Sequence, residues 1–238
     1  MASRREPYVV SHLTVAHLDG DEAVSPLRQG IQLLRGEGEE GYRPEEPRSD
    51  PLLSGGINGG TCDPAADPIG DEDHVGVLGG KGLGVHLLAR ENPVGVDPLS
   101  GDNRFIIAPG PVTGTRMWSQ SRFAVFTKSP ATGGYGESYC GGSLAPRLKG
   151  CGVDAVILEG RCPELTWLSV DEQGVGFHDA EALRGLDTFS TEEALLEGSP
   201  SGARAMVIGP AGENRVAIAC IKSDRWRSLG RGGVGAVL

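Results

Sequence analysis

The chain has 238 residues, 38 of them glycine, and a formal net charge of −10. So acidic a chain is not built to coat nucleic acid or an anionic membrane surface, and any anion site must be local, made by a few arginines. No apolar run reaches the roughly 20 residues that cross a bilayer, and the arginine pair in Met1-Ala2-Ser3-Arg4-Arg5-Glu6-Pro7 has no apolar segment behind it, so a cytoplasmic location is expected.

Residues 8–18 alternate loosely with β-branched side chains, and Asp19-Gly20 precedes residues 22–27, which predicts a hairpin. Residues 31–35 are a short apolar run, so 1–35 reads as an N-terminal hairpin region. From 36 to 73 Glu, Gly, Pro and Asp dominate, which predicts an acidic linker or surface insertion without enough apolar area to order itself. The compact domain is expected over 74–238.

Gly79-Gly80-Lys81-Gly82-Leu83-Gly84 runs into a short helix predicted over 85–90 and closed by Asn92-Pro93. The loop falls short of G-x-G-x-x-[GA], because Val85 stands where the third glycine belongs and no strong strand precedes it, so dinucleotide binding is not expected. His86 has no partner histidine or carboxylate at i+4 and reads as a packed side chain, not a ligand.

Two passages share one order: apolar strand, Gly/Pro turn, arginine, alternating strand, Lys-Ser. The first has strands over 105–108 and 122–128, the second over 205–208 and 215–223. This order predicts an internal duplication. Between the repeats lie a glycine-rich turn (Thr132-Gly133-Gly134-Tyr135-Gly136, then Ser138-Tyr139-Cys140-Gly141-Gly142), a helix over 143–149, and strands over 153–158 and 165–170. Ser190-Thr191-Glu192-Glu193 offers a capping box for a helix over 191–196, and Asp187 and Glu192 read as a turn residue and a first-turn charge, not catalytic carboxylates. The fold class expected is α+β: β-rich, with two related sheets and short helices.

Five cysteines (Cys62, Cys140, Cys151, Cys162, Cys220) with no C-x-x-C predict reduced thiols, not a disulfide framework or a zinc or iron–sulfur site made by this chain alone. The last stretch, from Arg225 to Leu238, packs three arginines and four glycines into fourteen residues. It reads as a loop holding an anionic group at the start of a helix, because glycine lets the backbone approach a ligand and arginine clamps phosphate or carboxylate. Mobile basic tails share that composition.

In order, Gly79-Gly80-Lys81-Gly82-Leu83-Gly84, Val96-Asp97-Pro98-Leu99-Ser100, Pro109-Gly110-Pro111-Val112-Thr113-Gly114-Thr115, Thr127-Lys128-Ser129-Pro130, Gly209-Pro210-Ala211-Gly212-Glu213-Asn214 and Gly230-Arg231-Gly232-Gly233-Val234-Gly235-Ala236-Val237 resemble the N-terminal domain of the aldehyde:ferredoxin oxidoreductase family. The match runs from about residue 77 onward. The resemblance implies oxidation of aldehydes to carboxylates, with two electrons passed to ferredoxin. It implies tungsten, or molybdenum in some relatives, held by two pterins, with a 4Fe-4S cluster beside one pterin. The N-terminal domain would be the floor under both pterins, and helical domains elsewhere would carry the cluster cysteines and the acid/base residues.

By the same resemblance, Arg122 would sit between pterin and cluster, and Arg227 and Ser228 beside a pterin phosphate. Gly141, Gly230 and Arg231 would be further cofactor contacts. The backbone carbonyls of Tyr139 and Ser228 would hold a Mg²⁺ that joins the two phosphates. The family usually has asparagine at Tyr139 and alanine at Ser228. No cluster motif and no catalytic acid or base falls in the matched set, and the matched part ends within the final glycine loop. The expectation is therefore a tungstopterin-binding subunit that works with a partner chain carrying the 4Fe-4S and catalytic domains and, through it, a ferredoxin-type acceptor. The alternatives are a non-catalytic scaffold or assembly module and a fragment with no bound cofactor.

Overall fold

The computed structural model describes residues 10–15, 30–36, 52–58, 79–162, 164–171 and 174–238. Among them are twelve strands: β1 Val10–Val15, β2 Gly30–Gly36, β3 Leu52–Asn58, β4 Phe105–Pro109, β5 Phe123–Lys128, β6 Tyr135–Cys140, β7 Val153–Glu159, β8 Thr166–Val170, β9 Val175–Asp179, β10 Met206–Val207, β11 Ile221–Ser223 and β12 Arg227–Leu229. The helices are α1 Lys81–Glu91, α2 Leu144–Gly150, α3 Thr188–Glu197, α4 Pro210–Glu213 and α5 Val234–Val237.

The strands form two six-stranded sheets, ordered β3-β2-β7-β4-β5-β6 and β12-β11-β10-β1-β8-β9. Every pairing is antiparallel except β1 with β10. With the short helices this is a β-rich α+β fold, as the sequence leads one to expect.

β4 and β5 are apolar at nearly every position because both of their faces are covered. One face presents Phe105, Ile107, Phe123 and Val125 to a core shared with Leu168, Met206, Ile221 and Leu229 of the second sheet. α2 enters that core through Leu144, Ala145 and Leu148, and the α5 segment through Val234 and Leu238. The opposite face, Ile106, Ala108, Ala124 and Phe126, packs under Leu83, Leu87 and Leu88 of α1. α3 covers the far side of the second sheet, where Leu195 meets Leu165, Ala205 and Val207.

Several expectations change. β1 is a strand that pairs with β8 and β10, while β2 belongs to the other sheet. Residues 22–27 of that expected hairpin lie outside the described residues. Leu52–Asn58, inside the segment read as lacking order, is an edge strand in register with all of β2. Backbone pairing supplies what its composition lacks. The glycines of Gly82-Leu83-Gly84 lie within α1, not in a ligand loop before it, because a Cβ on Gly84 would overlap the Phe126 ring. Tyr135–Cys140, read as turn, is strand β6 paired along β5. β9 falls where no strand was expected. In the second repeat only Ile221–Ser223 of the expected 215–223 strand forms, and Pro210–Glu213 is helical. α3 begins at Thr188 with Asp187 as its cap, accepting N–H bonds from Phe189 at 2.9 Å and Ser190 at 3.2 Å, in place of the expected Ser190 box.

Gly84→Ala is expected to destabilise the chain by about 1–3 kcal/mol, because α1 cannot approach β5 with a methyl group in between. Gly141→Ala, whose Cβ would meet nothing within 4 Å, should stay within about 0.5 kcal/mol of the wild type. Urea unfolding of the two variants checks both.

Candidate cofactor site

The two repeats use the same parts in the same order. β4-β5-β6 forms an antiparallel meander at the edge of one sheet, and β10-β11-β12 does so at the edge of the other. A glycine turn follows each last strand and leads into a helix of the shared core, α2 after Gly141-Gly142 and the α5 segment after Gly230 to Gly233. Tyr139-Cys140-Gly141 and Ser228-Leu229-Gly230 therefore hold equivalent places. Cys140 and Leu229 are both buried in the core, and the next residue in each case is glycine. A Cβ on Gly141 or Gly230 would meet nothing within 4 Å.

The edge strands β6 and β12 lie side by side. Arg231 N–H donates to Ser138 Oγ at 3.2 Å, and Ser129 Oγ donates to the Gly232 carbonyl at 2.7 Å. Gly232 and Gly233 have φ of 74° and 71°, and a Cβ on Gly233 would overlap the Ala217 carbonyl, so glycine is required for this turn. The C-terminal stretch is thus a docked turn and not a free tail.

The seven residues singled out from the sequence fall along this junction. The β5–β6 register ends at Phe123 opposite Cys140, which leaves Arg122 beside Gly141. The Arg227 side chain lies 3.4 Å from where a Gly142 Cβ would stand. Ser228 and Gly230 continue β12, and Arg231 is pinned by Ser138. Arg122, Arg227 and Arg231 are exposed. None of the three guanidinium groups makes an ion pair among the described residues, whereas Lys81, Arg90, Arg104, Lys149, Arg184 and Arg204 all do.

Tyr139 does not crowd the junction. Ser138, which faces Arg231, is buried, and Tyr139 lies on the opposite face of β6, by Phe126. There its hydroxyl donates to Glu137 at 3.3 Å, alongside Tyr135 at 2.6 Å, and Lys81 bridges the same carboxylate at 2.9 Å. The Tyr135 hydroxyl and then Lys81 hold the Glu137 carboxyl below its ordinary range, and that bond to Glu137 in turn raises Lys81. Burial, assisted by Asp224, pushes the Cys140 thiol up to about 11, so at neutral pH it is a packed thiol and not a thiolate ligand. Glu192, read as a first-turn helix charge, is buried and accepts the Arg225 N–H at 2.9 Å; burial raises its carboxyl. Sequence reasoning also passed over Lys81 and Glu137, because a pair 56 positions apart leaves no periodic signal.

Two related sheets thus meet on glycine turns, with three arginines along the meeting line that make no ion pair among the described residues. The chain belongs to the aldehyde ferredoxin oxidoreductase family: residues 63–238 match the model of that family's N-terminal domain. It is 40% identical over 162 residues to a tungsten-containing aldehyde ferredoxin oxidoreductase of Pyrococcus furiosus, an alignment covering 68% of this chain and 27% of the relative. It is 30% identical over 178 residues to the WOR-like subunit of an aliphatic sulfonate oxidoreductase of the same organism, covering 67% of this chain and 28% of that subunit. Among solved structures it resembles the active site complex of benzoyl coenzyme A reductase bound to 1,5-dienoyl-CoA, with a TM-score of 0.67 and 36% identity over 77% of this chain and 27% of that one. The chain thus spans a little over a quarter of the length of these relatives.

Because Glu137 has a lowered value in the folded chain, its contribution is present above the ordinary carboxylate range and is lost as pH falls through that lowered value. Melting midpoints measured from neutral pH down to about pH 3 should fall more for the wild type than for Glu137→Gln.

Proposed function

We propose that this domain is the floor of a tungstopterin site in an aldehyde:ferredoxin oxidoreductase-like enzyme, and that the 4Fe-4S and catalytic domains reside on further polypeptide. The observation that carries this reading is the junction itself. Gly141 and Gly230, in equivalent places, have open space where side chains would be, and Arg122, Arg227 and Arg231, exposed and without an ion pair among the described residues, belong to the segments that form the junction.

These residues fit the group. Phosphate arms need charge-assisted donors, which Arg227 and Arg231 supply, and a planar pterin needs close backbone, which Gly141 and Gly230 leave accessible. Arg122, beside Gly141, would bind the face of the cofactor turned toward the cluster. The carbonyls of Tyr139 and Ser228 occupy equivalent positions on facing edge strands, which suits hard oxygen ligation of one Mg²⁺ between two similar phosphates. When bound, the cofactor supplies two-electron oxo-transfer chemistry of the aldehyde-to-carboxylate type. The residues of this chain bind and orient it; no residue of this domain is proposed as acid or base.

A covering polypeptide is supported by exposed apolar side chains on the loops that flank the two glycine turns. Trp118 and Met117 precede β5 and are 96% and 59% exposed, and Ile218 precedes β11 at 75%. A tryptophan this open is the residue type that most often anchors an interface.

Purification of the chain from its host with its bound partners should yield tungsten or molybdenum together with pterin and an iron–sulfur partner polypeptide. Arg227→Ala and Arg231→Ala should each lower metal and pterin per chain by about tenfold, with unchanged circular dichroism. A wild-type complex that carries neither metal nor pterin defeats this reading.

A further inference from the structure

We infer that Asp224 is the positioning residue that fixes the two halves of the cradle relative to one another; the inference rests on the cofactor reading above. Asp224 opens the β11–β12 turn in the second repeat, yet its carboxylate reaches the glycine turn of the first. One oxygen accepts the backbone N–H of Ser143. The other lies 3.4 Å from Arg204 Nε.

The same carboxylate occupies the space where a Gly142 Cβ would be, with the Arg227 side chain alongside, and Gly142 has φ of 112°. Gly142 is therefore glycine because a side-chain anion from the other repeat fills its place. A turn that carries Gly141 on one side is thereby fastened to a strand that carries Arg227 and Ser228 on the other.

The turn that presents Asp224 is itself held in an unfavourable form. Asp224 and Arg225 are consecutive non-glycine residues at φ of 47° and 57°. Two contacts maintain it: Trp226 N–H donates to the Asp224 carbonyl at 2.6 Å, and the buried Glu192 carboxylate receives the Arg225 N–H. Arg225 and Trp226 also lean on Phe189 of α3, at 5.7 Å and 5.1 Å. Strain that the surroundings over-determine, directed at one amide of the opposite repeat, sets a distance rather than merely closing a hairpin.

The test compares Asp224→Ala with Asp224→Asn, which keeps an acceptor for Ser143, in the complex purified from its host. Two quantities are read: amide hydrogen exchange at Ser143 and across residues 227–231, and tungsten and pterin per chain. The expected result for Asp224→Ala is at least about tenfold faster exchange at these amides and about tenfold less metal and pterin, with the exchange of β4 and β5 unchanged. Asp224→Asn should restore most of both.

Unchanged exchange in Asp224→Ala overturns the clamp. Faster exchange with full metal and pterin overturns its positioning role. Loss of protection throughout β4 and β5 also overturns it, because Asp224 would then serve the whole fold. A wild-type complex without metal or pterin sinks the cofactor reading instead, and the exchange data still decide whether Asp224 joins the two turns.

Discussion

Two sheet edges meet at β6 and β12, and the placement of every residue at the candidate site follows from that meeting. An unpaired sheet edge is a row of backbone groups that must find water, a ligand or another chain. Here the two edges come together over a common apolar core built from both sheets, α2 and the α5 segment. The core sets how far apart they are. Hydrogen bonds from Ser129 to Gly232 and from Arg231 to Ser138 set how they slide.

The two halves of this junction are counterparts of one another. Each repeat ends an edge strand on a buried apolar residue, Cys140 or Leu229, and follows it with glycine. The repeats have since diverged. The first keeps a long β5, because α1 covers its outer face, and ties Lys81, Glu137, Tyr135 and Tyr139 together there. In the second the equivalent strand is only Ile221–Ser223, and helix α4 packs so closely on the last helix that a Cβ on Gly212 would meet the Gly235 carbonyl. A symmetric cradle is thus carried by an asymmetric scaffold.

Charge follows the same division. In a chain with ten excess negative charges, six cations (Lys81, Arg90, Arg104, Lys149, Arg184 and Arg204) pair with carboxylates, while Arg122, Arg227 and Arg231 are exposed along the junction and make no ion pair among the described residues. A cation without a carboxylate partner keeps a local positive potential on an otherwise acidic surface. Tyr139 fits this arrangement because its ring is drawn to the α1 side, which leaves only its backbone to the junction.

By itself the sequence determined the α+β class, the repeated strand order, β4 as an apolar strand and β5 as a strand, and the arginine- and glycine-bearing stretches of the candidate site. Those features are local: apolar runs, turn residues and their order report backbone preference and burial directly. Only the tertiary structure decided which edges face each other, that Gly82 and Gly84 serve helix packing, that residues 52–58 and 135–140 are strands, and that Asp187, Glu192 and Asp224 are caps and clamps. Each of these depends on a partner far away in the chain, as Gly84 does on Phe126 and Gly142 on Asp224, and no spacing rule encodes an approach between segments that only the folded core brings together.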